Sequence, residues 1–119
     1  MLEENYLLEL IGQLPINLIE EDKKVNYIIR KIDYRGYDAI NLSEINYIRN
    51  KLNLPELDIN NLKDCLYNNM ISYRDIQNAT GISRSMMCMI LRGTRNSTIK
   101  QINKVITYLK EQNIEFIWR

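Results

Sequence analysis

Leu7, Leu10, Ile11 and Leu14 recur at intervals of three and four, which puts them on one face of a helix over about residues 2 to 13 that Pro15 closes. Asn17 followed three residues later by Glu20 has the form of a capping box, and Glu20, Glu21 and Asp22 suit the positive start of a helix. Val25, Ile28, Ile29 and Ile32 then continue as an apolar stripe that Gly36 stops. The β-branched residues between 25 and 34 also admit a two-stranded reading, but the 3.6-residue period and the lack of a turn signal favour helix. Ser43 is placed to cap a third helix that buries Ile45, Ile48 and Leu52 and ends before Leu54-Pro55.

From Asp58 onward helices follow at short intervals. Asn60 or Asn61 caps a segment bearing Leu62, Cys65 and Leu66, and Ser72 caps another with Asp75 at its third position. Ser83 caps a helix running to Arg92. Ser97 or Thr98 opens a long one, with Ile99, Ile102, Ile106 and Leu109 on one face, that ends near Asn113. The tail places Ile114, Phe116 and Trp118 on one side at period two, the signature of a short, half-buried β-strand. The pattern predicts an all-α fold with a short C-terminal strand as its one exception. With no internal repeat and no Ser/Gly linker, the boundary falls between Leu54 and Asn61, separating a helical region 1–57 from a domain 58–119.

A chain of 119 residues fits one compact domain or two very small ones. Its net charge of +1 conceals a division: residues 1–69 carry 8 Lys/Arg against 12 Asp/Glu, and residues 70–119 carry 8 against 3. A basic half behind an acidic one suggests a surface that faces a polyanion on one side only. Histidine is absent, which removes Ser-His-Asp and Cys-His catalysis and histidine metal sites. The four glycines, Gly12, Gly36, Gly81 and Gly93, are too far apart to cradle a phosphate. Cys65 and Cys88 are isolated and read as small apolar residues without a metal or redox role. The expectation is a protein that is not an enzyme and needs no metal or cofactor. Glu3 and Glu4 stand where a signal peptide would carry positive charge, and no apolar run approaches the roughly 18 residues of a membrane span, so a cytoplasmic protein is expected.

Residues 72 to 93 carry the most chemistry. Ile76 is placed to pack inward, Gly81 to take a turn conformation that a β-carbon penalises, Ile82 to plug the core beneath the turn, and Ser83 to cap the next helix. That second helix is expected to bury Met87, Ile90 and Leu91 and to expose Arg84, Ser85, Met86, Cys88 and Met89. A plain helical bundle, with Gly81 as a C-cap only and Met86 to Met89 in the core, is the competing reading.

Ile76, Gly81-Ile82-Ser83-Arg84-Ser85, Arg92-Gly93 and Ser97-Thr98-Ile99 with Ile102 resemble the helix-turn-helix domain of the Cro and lambda-repressor (XRE) family over about residues 58 to 112. The resemblance implies double-stranded DNA binding by the helix that starts at Ser83. It implies a phosphate contact at Tyr73, next to the cap Ser72, and base-edge contacts from Arg84, Ser85 and Met89 on a face that also holds Met86. Backbone contacts are implied for the loop after Gly93, with Thr94, Arg95 and Asn96. Arg92 and Lys100, on the motif and its flank, add to the cations expected at phosphates. Gln77 stands where the family places a small alanine and Thr80 where it places leucine, which implies a looser crossing of the two helices. Met86, Cys88 and Met89 make the reading face apolar, so specificity is expected to rest chiefly on Arg84.

The resulting expectation is a sequence-specific transcriptional regulator, a repressor of bacterial or phage origin, that binds as a homodimer. For Phe116 and Trp118 a dimer seam and core packing both fit. Residues 1–57 are expected to oligomerise or to receive a protein partner. The alternative is a protein-interaction module, such as an antitoxin or a phage-encoded nuclease inhibitor, whose motif serves autoregulation.

Overall fold

A computed structural model describes residues 4–92 and 97–116. Among them the chain forms eight α-helices: α1 (Glu4–Gly12), α2 (Ile16–Glu21), α3 (Lys23–Arg35), α4 (Leu42–Lys51), α5 (Asn61–Asn68), α6 (Tyr73–Thr80), α7 (Arg84–Leu91) and α8 (Ile99–Glu111). A 3₁₀ turn at Tyr37–Ala39 separates α3 from α4. No helix among the described residues is long and apolar enough to cross a membrane.

The apolar stripes converge on one core, with Leu7 and Leu10 from α1, Val25 and Ile28 from α3, Ile45 and Ile48 from α4, and Ile99 and Ile102 from α8 all buried. The core therefore draws on both sides of the irregular stretch 54–59 where the sequence places its boundary. Helix α1 packs on α4 and on the 3₁₀ turn, and α8 packs on α6 and on the same turn. The two halves are also stitched by backbone. Asn41 and Thr98, each the N-cap of its own helix, form an isolated antiparallel bridge. The N–H of Ile99 donates to the Ile40 carbonyl at 2.8 Å, and that of Leu42 to the Ser97 carbonyl at 3.2 Å.

Three helix starts differ from the sequence expectation. The stretch expected as one helix from Asn17 to Gly36 is two. Asp22 is extended, and its Oδ1 accepts from the N–H groups of Lys24 and Val25 at 2.9 and 3.0 Å, starting α3 afresh; α2 begins after Pro15 with no side-chain cap. Helix α4 is capped by Asn41 in a reciprocal capping box with Glu44, and Ser43 Oγ merely donates to Asn41 Oδ1 at 2.7 Å. Asn60 takes the N-cap position of α5 as expected, but with a helical backbone and no side-chain cap bond, and Asp58 Oδ1 accepts its N–H at 2.7 Å. Asp22 also accepts from the Tyr47 hydroxyl at 2.8 Å and pairs with Lys51 Nζ at 3.5 Å, tying α3 to α4. The Val25 N–H and then the Tyr47 hydroxyl hold the Asp22 carboxyl below the usual carboxylate range, while the same bond and burial push the Tyr47 hydroxyl up.

Helices α4, α5 and α8 end alike, in Schellman turns with a left-handed residue at Asn53, Met70 and Asn113. In each, the next residue's N–H returns to the carbonyl five positions back: Leu54 to Arg49, Ile71 to Leu66 and Ile114 to Leu109, all at 2.9 Å. This corrects the C-terminal strand. Ile114 is the apolar residue that closes a Schellman turn, and it and Phe116 fold back half-buried on the core of their own chain. Residues 114–116 form no strand, and Trp118 lies outside the described residues.

Asparagine tolerates the left-handed conformation; methionine does not, at a cost of about 1–2 kcal/mol. Met70 has φ +56° and a side chain 91% exposed, so it is strained without packing in return. Met70→Gly is expected to raise stability by about 1 kcal/mol in urea denaturation, after allowance for the freer unfolded glycine chain. A loss of stability would show that the methionine side chain holds a contact of its own.

Candidate nucleic-acid interface

Helices α6 and α7 are eight residues each and are joined by Gly81, Ile82 and Ser83. Every part of that joint has a local cause. Ser72 and Asp75 close a capping box at the start of α6, with Ser72 Oγ accepting the Asp75 N–H at 3.1 Å and Asp75 Oδ2 accepting the Ser72 N–H at 3.0 Å. The Ser72 N–H, and then its hydroxyl, hold the Asp75 carboxyl below the usual carboxylate range. Gly81 ends α6 in the left-handed region at φ +79°, where a side chain would strain the backbone although open space surrounds the position. Thr80, at the position the family resemblance gives to leucine, adds a polar brace: its Oγ1 donates to the Ile76 carbonyl at 2.7 Å and accepts the Ile82 N–H at 3.2 Å. Ile82 is buried beneath the turn, and Ser83 Oγ accepts the Met86 N–H at 3.2 Å to start α7. Gln77 is exposed rather than packed at a helix crossing.

Helix α7 buries Met87 and Ile90. Its far end is anchored by the fully buried Ser97, whose Oγ donates to the Met89 carbonyl at 3.2 Å. Burial below and an anchor behind leave the first turn outward, with Arg84 and Ser85 both exposed. Arg84 pairs with no carboxylate among the described residues. The rest of the expected reading face is smaller than the sequence suggests. Met86, Cys88 and Met89 are half-buried instead of exposed, Met86 packs against the core, and Leu91 is half-buried instead of buried. The helix is rotated so that its sulfur-bearing side shares the core's edge.

The remaining expected contacts are dispersed. Ser72 and Ser83 are exposed, with their hydroxyls engaged as caps, and Tyr73 is half-buried against the core. Arg92, exposed, lines a polar cleft of about 540 Å³ with Asn46, Tyr47 and Asn50 of α4 and with Glu56 and Asp58. Lys100 and Lys104 lie one turn apart on α8 and line a second cleft of about 410 Å³ against Ala79 and Thr80 at the end of α6. Thr94, Arg95 and Asn96 lie outside the described residues. The free thiols of Cys65 and Cys88 are half-buried, and burial pushes the Cys65 thiol up. The bracing roles of Thr80 and Ser97 were missed in the sequence, where each is one hydroxyl among many and only the fold aims it at a carbonyl.

No protein-family model, curated protein or solved structure matches the chain.

Proposed function

We propose that this chain is a sequence-specific DNA-binding transcriptional regulator, a repressor that acts as a homodimer, with α7 as the helix that enters the major groove. The observation that carries the reading is the joint between α6 and α7. A left-handed glycine, a buried isoleucine and a capping serine lead into a helix whose first turn offers Ser85 and Arg84, which pairs with no carboxylate among the described residues, to solvent. In proteins that read DNA with two helices joined this way, the second helix contacts base edges with its N-terminal residues. Arginine is the residue best shaped for the guanine edge, which it meets with two hydrogen bonds. Half-burial of Met86 and Met89 concentrates the reading further on Arg84 and Ser85, while Lys100 and Lys104 supply sequence-independent attraction. One recognition helix gives modest affinity, so two copies on a palindrome about 34–36 Å apart complete the site.

Arg84→Ala is expected to weaken binding to the cognate duplex by about 1–3 kcal/mol while leaving the weak binding to unrelated duplex nearly unchanged, as read by fluorescence anisotropy at fixed salt. Equal losses on the two duplexes would remove Arg84 from base recognition.

A further inference from the structure

Residues 1–69 are acidic in sum, yet α3 carries Lys23, Lys24, Arg30, Lys31 and Arg35 against the single acid Asp33. Its core side is fixed by the buried Val25 and Ile28. At about 100° per residue, Lys23, Tyr27, Arg30 and Tyr34 fall within about 60° of arc on the opposite side. They form a stripe in which cation and aromatic ring alternate and no carboxylate intervenes. All four are exposed, Tyr27 to 56% and Tyr34 to 86%.

Two neighbouring cations of the helix have partners. Lys31 Nζ pairs with Glu44 at 2.9 Å, and Lys24 Nζ sits 4.6 Å from the centre of the Tyr47 ring. Lys23 and Arg30 do not. Glu20 and Glu21 line the same shallow cleft as these two, yet neither cation pairs with a carboxylate among the described residues. Two long cationic side chains thus stay available beside two exposed rings, of which Tyr27 also has Lys31 Nζ 5.9 Å from its centre.

A single-stranded nucleic acid uses both kinds of side chain: phosphates take the cations and unpaired bases stack on the rings. The spacing suits that use. Tyr27 and Tyr34 are separated by about 10 Å of helix rise, close to three base steps of about 3.4 Å. A duplex keeps its base faces stacked on each other, so it would leave the tyrosines idle. We propose that the Lys23, Tyr27, Arg30, Tyr34 stripe of α3 binds single-stranded nucleic acid, with the tyrosines stacking on bases and Lys23 and Arg30 on phosphates. The site is separate from α7, and it stands whether or not α7 reads duplex DNA.

The test uses the full chain in anisotropy titrations over a salt series, with labelled oligo-dT and oligo-U of about 15 nucleotides. The unmodified protein is expected to bind at least one of them. Tyr27→Ala with Tyr34→Ala should weaken that binding about tenfold or more, and the Tyr27→Phe, Tyr34→Phe pair should restore it, because phenylalanine keeps the stacking face. Lys23→Ala with Arg30→Ala should lower the steepness of log K against log salt by about 1.4, at about 0.7 per phosphate. Arg84→Ala, which tests α7, should leave single-strand binding unchanged. Circular dichroism of each variant separates lost binding from lost fold, and these exposed positions are expected to keep the helical signal. Absence of single-strand binding by the unmodified protein would overturn the proposal, and so would full binding by the folded tyrosine-to-alanine pair or loss of binding in Arg84→Ala.

Discussion

Ile90→Ala is expected to lower the unfolding free energy by about 2–5 kcal/mol, measured by urea denaturation followed by circular dichroism. Ile90 is fully buried on α7, in the common core. The loss combines the transfer free energy of the deleted methyl and methylene groups with the cost of a cavity in a close-packed interior. Against a total stability of about 5–15 kcal/mol for a domain of this size, such a loss is a large fraction of the whole. The consequence reaches the proposed interface, because Met87 and Ile90 are the buried residues that hold Arg84 and Ser85 outward. A change below about 1 kcal/mol would mean that α7 contributes little to the common core.

Glu44→Ala is expected to cost about as much, on the order of 3–5 kcal/mol, for a different reason. Glu44 is buried, and its Oε1 accepts both the Asn41 N–H at 3.0 Å and Lys31 Nζ at 2.9 Å. Alanine removes half of the capping box that starts α4 and leaves the Lys31 ammonium, itself largely buried, without its counter-charge. The attribution is checked by pairing Glu44→Leu with Lys31→Met, which deletes both charges while keeping bulk. The pair should recover most of the loss in the same denaturation measurement. If the double variant is as unstable as Glu44→Ala, the cap carries the cost and the ion pair does not.

The helices around the joint of α6 and α7 were legible in the sequence because their signals are local. Ser72 with Asp75, Gly81, and Ser83 act within four residues of their own position, so spacing alone assigns them, and the structure places each in that role. Elsewhere several polar residues compete for one helix start. Between Asn17 and Asp22, and again between Asn41 and Ser43, the residue that wins is the one that also meets another helix. Asp22 does so through Tyr47 and Lys51, and Asn41 through its bridge to Thr98. That choice is tertiary and leaves no trace in spacing. The C-terminal tail misled for a related reason. Ile114 and Phe116 alternate as a strand would, but the positive φ of Asn113 reverses the chain first and turns Ile114 into the closing residue of α8. The partial burial of Met86, Cys88 and Met89 depends on the rotation of α7 about its axis. Amphipathic spacing on so short and apolar a helix does not fix that rotation. Summing charge over whole halves also concealed α3, whose cations are outweighed by acids on other helices.

The claim that α7 reads DNA is tested most directly by selecting duplexes from a random-sequence pool with the purified protein, in parallel with its Arg84→Ala variant, at one fixed salt concentration. The account predicts that the unmodified protein enriches a palindromic sequence whose half-sites lie about one helical turn apart, and that the variant loses preference at the base pair Arg84 contacts while keeping weak, general affinity. Failure of the unmodified protein to enrich any sequence, or enrichment of the same sequence to the same degree by the variant, would contradict it.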